Sequence, residues 1–188
     1  MADLGYYISV YVHSEVMMLE IWDGYNADRT LAGVDIVRGG AFPEGLYHGV
    51  AEILVRHADG SYLVTQRDLS KESHPGEWEI GAGGSILKGE NFHDGAMREL
   101  FEETGIRADG LELLYETSKI HENGIGALYS CYLCVTDIEK DSIVLQKGET
   151  IGYKWLSAEE IIMGSYVPQR MKDTIRNIIK NDGGVYEL

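Results

Sequence analysis

Basic residues, cysteine, proline and long apolar runs are all scarce in this chain of 188 residues. It has 16 Lys and Arg against 31 Asp and Glu, a formal net charge of −15, and no cluster of basic side chains. A protein that binds the phosphate backbone of DNA or RNA normally carries a basic patch. We therefore expect no nucleic acid polymer among its partners.

Hydrophobic runs are short as well. No apolar segment approaches the roughly 18 residues that a membrane-spanning helix needs. The first residues, MADLGYYISVYVHSEVMM, carry an acid at Asp3 and lack the basic region of a secretory signal peptide. Together these absences predict a cytoplasmic protein with no membrane span. The 44% apolar content is enough for the core of one domain.

The two cysteines, Cys131 and Cys134, form a C-x-x-C pair within YSCYLCV. Such a pair can belong to a zinc or redox site. The run alternates like a β-strand, however, in which residues three apart point to opposite faces. We expect two reduced structural cysteines, which suits a reducing compartment.

Acidic residues are most concentrated in 84–106, GSILKGENFHDGAMRELFEETGI, which contains five of them. Asn91 followed by Asp94 resembles a capping box, with Asp in place of the usual Glu or Gln, and Gly105 suits the end of a helix. The pattern predicts a helix over about 92–104.

Three glutamates of this helix, Glu99, Glu102 and Glu103, stand at i, i+3 and i+4. Their carboxylates therefore share one helix face, with Cβ atoms about 5–6 Å apart. Anions this close repel each other unless a cation lies among them. A hard divalent ion, Mg²⁺ or Mn²⁺, suits such an all-oxygen site. Taken alone, the three residues could also be a solvated acidic helix face.

The spacing of the whole stretch resembles the Nudix box, G-x5-E-x7-R-E-U-x-E-E-x-G-U, where U is aliphatic. All nine fixed positions agree: Gly84, Glu90, Arg98, Glu99, Leu100, Glu102, Glu103, Gly105 and Ile106. Agreement at this many fixed spacings is far more specific than a lone glycine motif. The chain is therefore identified as a member of the Nudix hydrolase superfamily. That resemblance implies an α/β fold, an α/β/α sandwich with a mixed β-sheet.

Strand and turn patterns on both sides of the box are compatible with that fold. The runs 49–57 and 62–66 predict a hairpin across Asp59-Gly60. Further elements are predicted as two strands within 20–37, strands at 111–120, 125–135 and 151–156, a helix opened by Ser157, and a helix near 168–180 with Pro168 in its first turn.

Two regions are distinguished in the domain organisation. Residues 19–188 form the predicted Nudix domain. Residues 1–18 are an extension whose run 4–12 predicts an extra strand, packed on the domain or on a partner subunit. A mis-assigned start of the chain is the alternative, and a homodimer is possible.

The resemblance implies a hydrolase that cleaves a diphosphate linkage in a nucleoside diphosphate derivative, using water activated by Mg²⁺, with Mn²⁺ as a possible substitute. Transferred by position, Glu99, Glu102 and Glu103 are the metal-binding carboxylates, and the Gly83 carbonyl is a backbone ligand. Arg98 orients a box glutamate by a charge-assisted hydrogen bond.

Other residues complete the implied site. Glu90 holds the loop to the helix or joins the outer shell of the metal. The general base varies within the family, and Glu149, six residues before Trp155, is a candidate for the base or a further ligand; the alternative is a surface glutamate. Arg67 contacts a substrate phosphate or forms a surface salt bridge. Trp78 stacks on a base or packs in the core.

Subfamily markers narrow the reaction but leave the substrate open. Segments from Trp22 to Glu79, including QRD and HPGEWE, also resemble the isopentenyl diphosphate isomerase branch. That enzyme needs a cysteine shortly after the tryptophan that corresponds to Trp78, and none stands there. Markers of ADP-ribose and NADH hydrolases are absent too. A non-canonical nucleoside triphosphate, a nucleotide sugar and a prenyl-type diphosphate remain open, and a non-catalytic nucleotide-binding module is the alternative from another class.

Overall fold

The computed structural model describes residues 7–12, 15–165, 167 and 169–181. They form an α/β fold with ten strands and three helices. The strands are β1 Tyr7–Val12, β2 Glu15–Tyr25, β3 Leu31–Val37, β4 Tyr47–His57, β5 Tyr62–Arg67, β6 Trp78–Ile80, β7 Ala82–Ser85, β8 Glu112–Ile120, β9 Gly126–Thr136 and β10 Thr150–Leu156. The helices are α1 Phe92–Thr104, α2 Ala158–Met163 and α3 Gln169–Asn181.

The chain divides into two compact units. The first contains the described residues up to 52 together with 83–99 and 113–132. In it, β2 pairs antiparallel with β1, with β3 and, through Tyr25 and Tyr47, with β4. Strands β7 and β9 also pair with β4, and β8 pairs with β9. The core of this unit includes Ala51, Ile86 and Ala96, which are almost completely buried.

The second unit contains residues 53–82, 100–112 and the described residues from 133 onward. Here β5 lies between β10 and β6 and is antiparallel to both. The end of β4 joins β5 through the pair Arg56 and Tyr62, so the predicted hairpin across Asp59-Gly60 is confirmed. Its core includes Ile53, Leu63 and Leu100, none of which is measurably exposed.

Strand β9 runs parallel to β4, in contrast to the antiparallel pairs. At the start of the two strands, Gly126 lies against the Leu46 carbonyl. At their end, the Ala58 N–H donates to the Thr136 carbonyl at 2.8 Å. Residue numbers thus rise together along both strands, which defines a parallel pair. The predicted α/β fold with a mixed sheet is confirmed.

The first two strands differ in their boundaries from the predicted ones. Strand β2 begins at Glu15 and runs across residue 18, where the sequence suggested a division. It pairs with β1, so the predicted extra strand is present from Tyr7 and lies on the same chain. Residues 4–6 of that prediction lie outside the described residues, as does Pro168 before α3. The division into 1–18 and 19–188 stays a prediction.

Both cysteines are buried and free, as the alternation of the strand predicted. They lie on β9, and burial raises the pKa of the Cys134 thiol to about 11. A thiol with so high a pKa is almost entirely protonated at neutral pH, so it is a weak nucleophile. Within the described part of the chain, no helix is long and apolar enough to cross a membrane.

Candidate metal and diphosphate site

Helix α1 begins and ends as its sequence predicts. The Asn91 side chain accepts a hydrogen bond from the Asp94 N–H at 2.9 Å and so caps the first turn. Asp94 does not return a bond to the Asn91 backbone; its carboxylate accepts from the Asn91 amide instead, at 2.8 Å. At the other end Gly105 has φ of +74° and its N–H donates to the Phe101 carbonyl. This left-handed residue ends the helix.

Arg98 ties the helix to the loop that precedes it. Its guanidinium donates to both carboxylate oxygens of Glu90 at 2.8 and 3.0 Å, to Glu99 Oε1 at 2.8 Å and to the Ser85 carbonyl at 2.9 Å. Only 20% of the Arg98 side chain is exposed, and Glu90 and Glu99 are still less exposed. The arginine therefore holds two carboxylates in fixed positions. This is the contact that the family resemblance implied.

The charge of this cluster is stabilised by its own members. Burial opposes the charged form of Arg98, but its hydrogen bonds and its attraction to Glu90 and Glu99 outweigh that effect and raise its pKa. The guanidinium therefore stays charged at any pH at which the protein is folded. Bidentate arginine–carboxylate pairs are also geometrically specific, so Glu90 is oriented as well as paired.

Gly84 leaves room for the Glu99 carboxylate. A Cβ atom at position 84 would lie 2.4 Å from both Cδ and Oε1 of Glu99, closer than any real contact. The carboxylate thus rests directly on the backbone of β7, where any side chain would displace it. In this chain, a glycine is therefore required for steric reasons at the first fixed position of the motif.

The loop between β7 and α1 is fastened to β2 and β3. The Lys88 N–H donates to the Ile21 carbonyl at 2.9 Å, and the Gly89 N–H donates to Asp23 Oδ2 at 2.7 Å. The Lys88 side chain also pairs with Asp35. Since the Leu87 N–H donates to Glu90 Oε2 at 3.0 Å, the loop presents Glu90 to Arg98 in one conformation.

The other two box glutamates differ in exposure. Glu103 is 9% exposed, whereas Glu102 lies on the solvent side of the helix. The i, i+3, i+4 spacing on one continuous helix places Glu99, Glu102 and Glu103 on neighbouring positions. In the part of the chain described, no three His, Cys, Asp or Glu side chains are gathered tightly enough to hold a metal ion.

The residues nevertheless suit a divalent cation. The donor set is all oxygen, which Mg²⁺ and Mn²⁺ prefer, and the glycine cradle fixes one of its carboxylates. Glu99 already pairs with Arg98, as expected for a carboxylate that would otherwise face like charges. Gly83 belongs to β7, and a Cβ there would lie 2.6 Å from the Ala51 carbonyl. Close strand pairing therefore also requires this glycine.

Glu149 lies in the second unit, where it has a partner of opposite charge. Its carboxylate forms an ion pair with the Lys71 ammonium, and its backbone carbonyl accepts from the Asp68 N–H at 2.8 Å. Only 15% of the Lys71 side chain is exposed. These two contacts join the loop after β5 to the loop before β10. Glu149 is therefore an ordered carboxylate; a catalytic role for it stays a prediction.

Arg67 and Trp78 also lie in the second unit, each with its own contacts. Arg67 donates to Glu79 Oε2 at 3.1 Å and to the Ser73 carbonyl at 3.1 Å, which supports the salt-bridge alternative. The Lys154 ammonium lies 4.4 Å from the centre of the Trp78 ring. The Trp78 side chain is half-buried.

Sequence reasoning missed the partners that organise these residues. Lys71 pairs with Glu149 across 78 positions, and Asp23 reaches Gly89 across 66. Nothing local in the sequence marks such pairs, because the contacts depend on the path of the chain. Lys71 is the isolated basic residue in the loop after β5, and this isolation was the one feature of the sequence that could have indicated a role for it.

The fold and the site define a class. The protein has a mixed sheet, a glycine-cradled carboxylate and a helix whose arginine clamps two glutamates, in the arrangement of the Nudix fold. The model of the NUDIX domain matches residues 46–181, which is more than half of the chain. The chain therefore belongs to the Nudix hydrolase family.

Individual relatives agree with this assignment. The chain is 30% identical over 165 residues to a Nudix hydrolase of Listeria monocytogenes, covering 85% of this chain and 95% of that one. The isopentenyl-diphosphate Delta-isomerase of Corynebacterium diphtheriae is 25% identical over 121 residues, covering 61% of this chain and 66% of the isomerase. The crystal structure of DR0079 from Deinococcus radiodurans has a TM-score of 0.67 at 20% identity, covering 84% and 98% of the two chains; that likeness concerns the fold.

Proposed function

We propose that this protein is a Mg²⁺-dependent hydrolase that cleaves a diphosphate linkage in a nucleoside diphosphate derivative. One observation carries the proposal: Arg98 clamps Glu90 and Glu99 while Gly84 cradles the Glu99 carboxylate. A helix face that is merely solvated needs neither a buried arginine clamp nor a glycine cradle. The arrangement keeps an anionic oxygen in a fixed position, as a metal site requires.

The glutamates and Gly83 have distinct roles in this proposal. Glu99, Glu102 and Glu103 hold the cation, and the Gly83 carbonyl completes the protein ligands. When bound, Mg²⁺ neutralises the diphosphate and acidifies the water that attacks phosphorus. Arg98 orients Glu99 and stabilises its charge. Mn²⁺ suits the same ligands.

A carboxylate must also accept the proton of the attacking water. A box glutamate and Glu149 are the two candidates. Glu149 is held by Lys71, and this ion pair keeps its carboxylate oriented. In the proposal, Arg67 contacts a phosphate of the substrate and Trp78 stacks on a planar group of the substrate. Arg67 also forms an ion pair with Glu79.

An isomerase reaction is the runner-up, because one relative is an isopentenyl-diphosphate isomerase. Residues 79–84 contain no cysteine, and both cysteines of the chain are buried on β9. The thiol that this isomerisation needs is therefore missing from its position. A nucleotide-binding module without turnover is the other alternative; the three retained glutamates argue against it, because binding alone does not need them all.

The decisive experiment is a hydrolysis screen over nucleoside diphosphate derivatives, with and without Mg²⁺. We expect at least one derivative to be hydrolysed only with the metal. Glu103→Gln should lose most of that activity, because it removes one anionic ligand. Glu139→Gln, an exposed glutamate after β9, is the matched control and should keep the full rate. A fully active Glu103→Gln enzyme would refute the assignment, and binding without hydrolysis of any derivative would favour the binding module.

A further variant, Glu149→Gln, tests which carboxylate is the base. Loss of a general base lowers the turnover number by about 10²–10⁴-fold while substrate binding persists. If Glu149 is the base, Glu149→Gln should show this loss with an unchanged affinity for Mn²⁺. An affinity that falls together with the rate would make Glu149 a metal ligand, and an unchanged rate would leave the task to a box glutamate.

A further inference from the structure

Arg29 has a backbone conformation that arginine rarely adopts. It lies in the turn between β2 and β3 with φ of +68°, and His74 is the other non-glycine residue with a positive φ in the described part of the chain. The Arg29 N–H donates to the Asn26 carbonyl at 3.0 Å, and the Asn26 N–H donates to the Thr30 carbonyl at 2.9 Å. Glycine or asparagine would adopt this left-handed conformation with less strain. A residue held there against its preference is a candidate for a functional role of its side chain.

The Arg29 side chain reaches from this turn to two other strands. Its guanidinium donates to Ser130 Oγ at 2.5 Å and to the Tyr129 carbonyl at 3.3 Å, both on β9. It also pairs with Glu116 Oε1 on β8 at 3.0 Å, and the Ser130 hydroxyl donates to the same oxygen at 3.1 Å. Only 23% of the Arg29 side chain is exposed. The arginine therefore fastens the turn after β2 to the β8–β9 pair.

One face of the guanidinium lies against the first residue of α1. The Arg29 Cζ atom is 4.4 Å from the centre of the Phe92 ring. Contacts of an arginine with an aromatic face are attractive. Phe92 also contacts Tyr25 of β2, with ring centroids 5.5 Å apart. A Cβ atom at Gly49 would lie 3.1 Å from Phe92 Cε1, so the ring rests almost directly on the backbone of β4.

The layer of contacts that holds Phe92 continues to the carboxylate of Glu90. The same Cβ atom at Gly49 would lie 2.9 Å from Ile86 Cγ1. A Cβ atom at Gly95 of α1 would lie 2.6 Å from Ile86 Cδ1 and 3.1 Å from Glu90 Oε2. Little space therefore remains between α1 and the sheet along this layer. A shift of the first helical turn would also move the ion pairs that Glu90 makes.

We propose that Arg29 is a positioning residue of the metal site: it holds the Phe92 ring, fixes α1 on the sheet and so keeps the Glu99 carboxylate on Gly84. Glu99 follows Phe92 on one continuous helix, at a distance of about 10 Å along its axis. A rigid helix transmits a displacement of its first turn to the residues further along it. The inference rests on the proposed function, in which Glu99 binds Mg²⁺.

Arg29 acts through the helix and not on the substrate. Its N–H groups already donate to β9 and pair with β8, and one face of the guanidinium is covered by Phe92. A phosphate would have to replace these contacts. Groups that orient metal ligands typically contribute about 10–100-fold to metal affinity or activity. We expect an effect of this size from Arg29, although it is not a ligand.

The first test is the affinity for Mn²⁺, measured by electron paramagnetic resonance on variants that circular dichroism shows to be folded. Arg29→Gly removes the side chain and relieves the backbone strain, so it retains the turn. It should weaken Mn²⁺ binding about tenfold or more. Arg29→Lys should recover part of the loss, because an ammonium keeps the charge beside Phe92. A side chain that only stabilises the fold would leave the affinity of the folded molecules unchanged.

Arg38→Gly is the matched control for this test. It removes another arginine–glutamate ion pair of the first unit, with Glu20 on β2, and should leave the affinity for Mn²⁺ unchanged. Equal affinities of Arg29→Gly and Arg38→Gly would overturn the inference.

The second test needs no metal. The Arg98 Nε–H group donates to Glu90 Oε1 at 2.8 Å, and its ¹H–¹⁵N signal is assigned by its loss in Arg98→Lys. We expect Arg29→Gly to shift this signal and to accelerate its exchange with water, whereas Arg38→Gly should change neither. An Arg98 signal that is the same in the wild type and in Arg29→Gly would overturn the inference.

A double-mutant cycle tests the route through the Phe92 ring. Phe92→Leu keeps an apolar side chain at the start of α1 but removes the aromatic face, so it should weaken Mn²⁺ binding as well. Arg29→Gly should then add little to the loss, because residues that act through one contact are not additive. Additive losses would show that Arg29 acts by another route and would overturn the inference.

The two proposals fail differently. If the Arg98 signal responds to Arg29→Gly but the wild type binds no Mn²⁺ and hydrolyses no derivative, Arg29 positions the helix and the hydrolase assignment is wrong. If hydrolysis is observed and Arg29→Gly keeps the wild-type kcat and Mn²⁺ affinity, the hydrolase stands and the positioning role does not.

Discussion

At the scale of single residues, Arg98 is the side chain on which the site depends most. Its guanidinium forms hydrogen-bonded ion pairs with both Glu90 and Glu99, and all three side chains are largely shielded from solvent. An exposed ion pair contributes little, because water and salt screen it. Removal of one member of a buried network is different, since the remaining charges stay buried without a partner.

Arg98→Ala should therefore lower the free energy of unfolding by about 3–5 kcal/mol. Urea denaturation without metal measures this loss, and Arg98→Lys should recover part of it, because an ammonium cannot reproduce the bidentate geometry. Lys88→Ala removes an ion pair with Asp35 in which both side chains are substantially exposed, so it should change stability little. An Arg98→Ala protein as stable as the wild type would show that the clamp does not stabilise the fold.

His48 should make stability fall as the pH falls. The unfolded chain binds a proton at an ordinary histidine pKa near 6.5, whereas burial lowers the folded pKa to about 4. Between these values the unfolded state binds more protons, so stability is lost on acidification through that window. The contribution is about 2 kcal/mol between about pH 7 and about pH 4.5.

The measurement is urea denaturation of the wild type and of His48→Phe at several pH values. The wild type should lose more stability on acidification than the variant, by the amount given above. Parallel curves for the two proteins would mean that His48 is solvated or charged in the folded state.

At the scale of elements, the junction of β6 and β7 depends on a backbone without a side chain. Gly81 has φ of +76°, and a Cβ there would lie 1.8 Å from the Ile53 carbonyl of β4. Its N–H donates to the Leu63 carbonyl of β5 at 2.9 Å. The clash is with backbone, which cannot move aside without breaking a strand.

Gly81→Ala should therefore destabilise the protein by more than about 3 kcal/mol, from steric overlap added to left-handed strain. Gly148→Ala is the matched control, because Gly148 also has a positive φ, +84°, yet no atom lies within 4 Å of its added Cβ. Thermal and urea denaturation of the two variants separate the strain from the overlap. Similar losses in both would show that the overlap is relieved by a small shift.

At the scale of the whole molecule, the net charge of −15 favours cations. The acidic residues repel one another, and this repulsion destabilises the folded state at low ionic strength. Sodium chloride screens it without a specific site, since the Debye length falls to about 8 Å at about 0.15 M salt. A site for a divalent ion stabilises the protein by mass action instead.

Mg²⁺ should therefore raise Tm more than sodium chloride at matched ionic strength. Free Mg²⁺ at a hundredfold excess over its Kd raises the free energy of unfolding by about 2.7 kcal/mol. Glu102→Gln should reduce this specific increment while keeping the response to sodium chloride, because Glu102 is exposed and does not support the core. Scanning calorimetry measures both. Identical responses to the two salts would contradict a metal site in the folded protein.

Local physical rules allowed much of this protein to be predicted from its sequence. The bounds of α1 follow from a cap at Asn91 and a left-handed stop at Gly105, both set by neighbours in the chain. The same holds for the buried, free cysteines of β9 and for the fixed spacing that identifies the Nudix family. A cytoplasmic location, a homodimer and the roles assigned to site residues stay predictions.

The partners of the site residues were decided by the tertiary structure alone. Glu149 meets Lys71, Arg67 meets Glu79, and His48 lies between Trp22 and Phe42. Short-range patterns fix which face of an element is apolar, but they contain no information about which distant side chain arrives there. That choice depends on the path of the chain and on which buried charges must be paired. The sequence therefore determined the helix that carries the box residues, and the fold determined which side chains surround it.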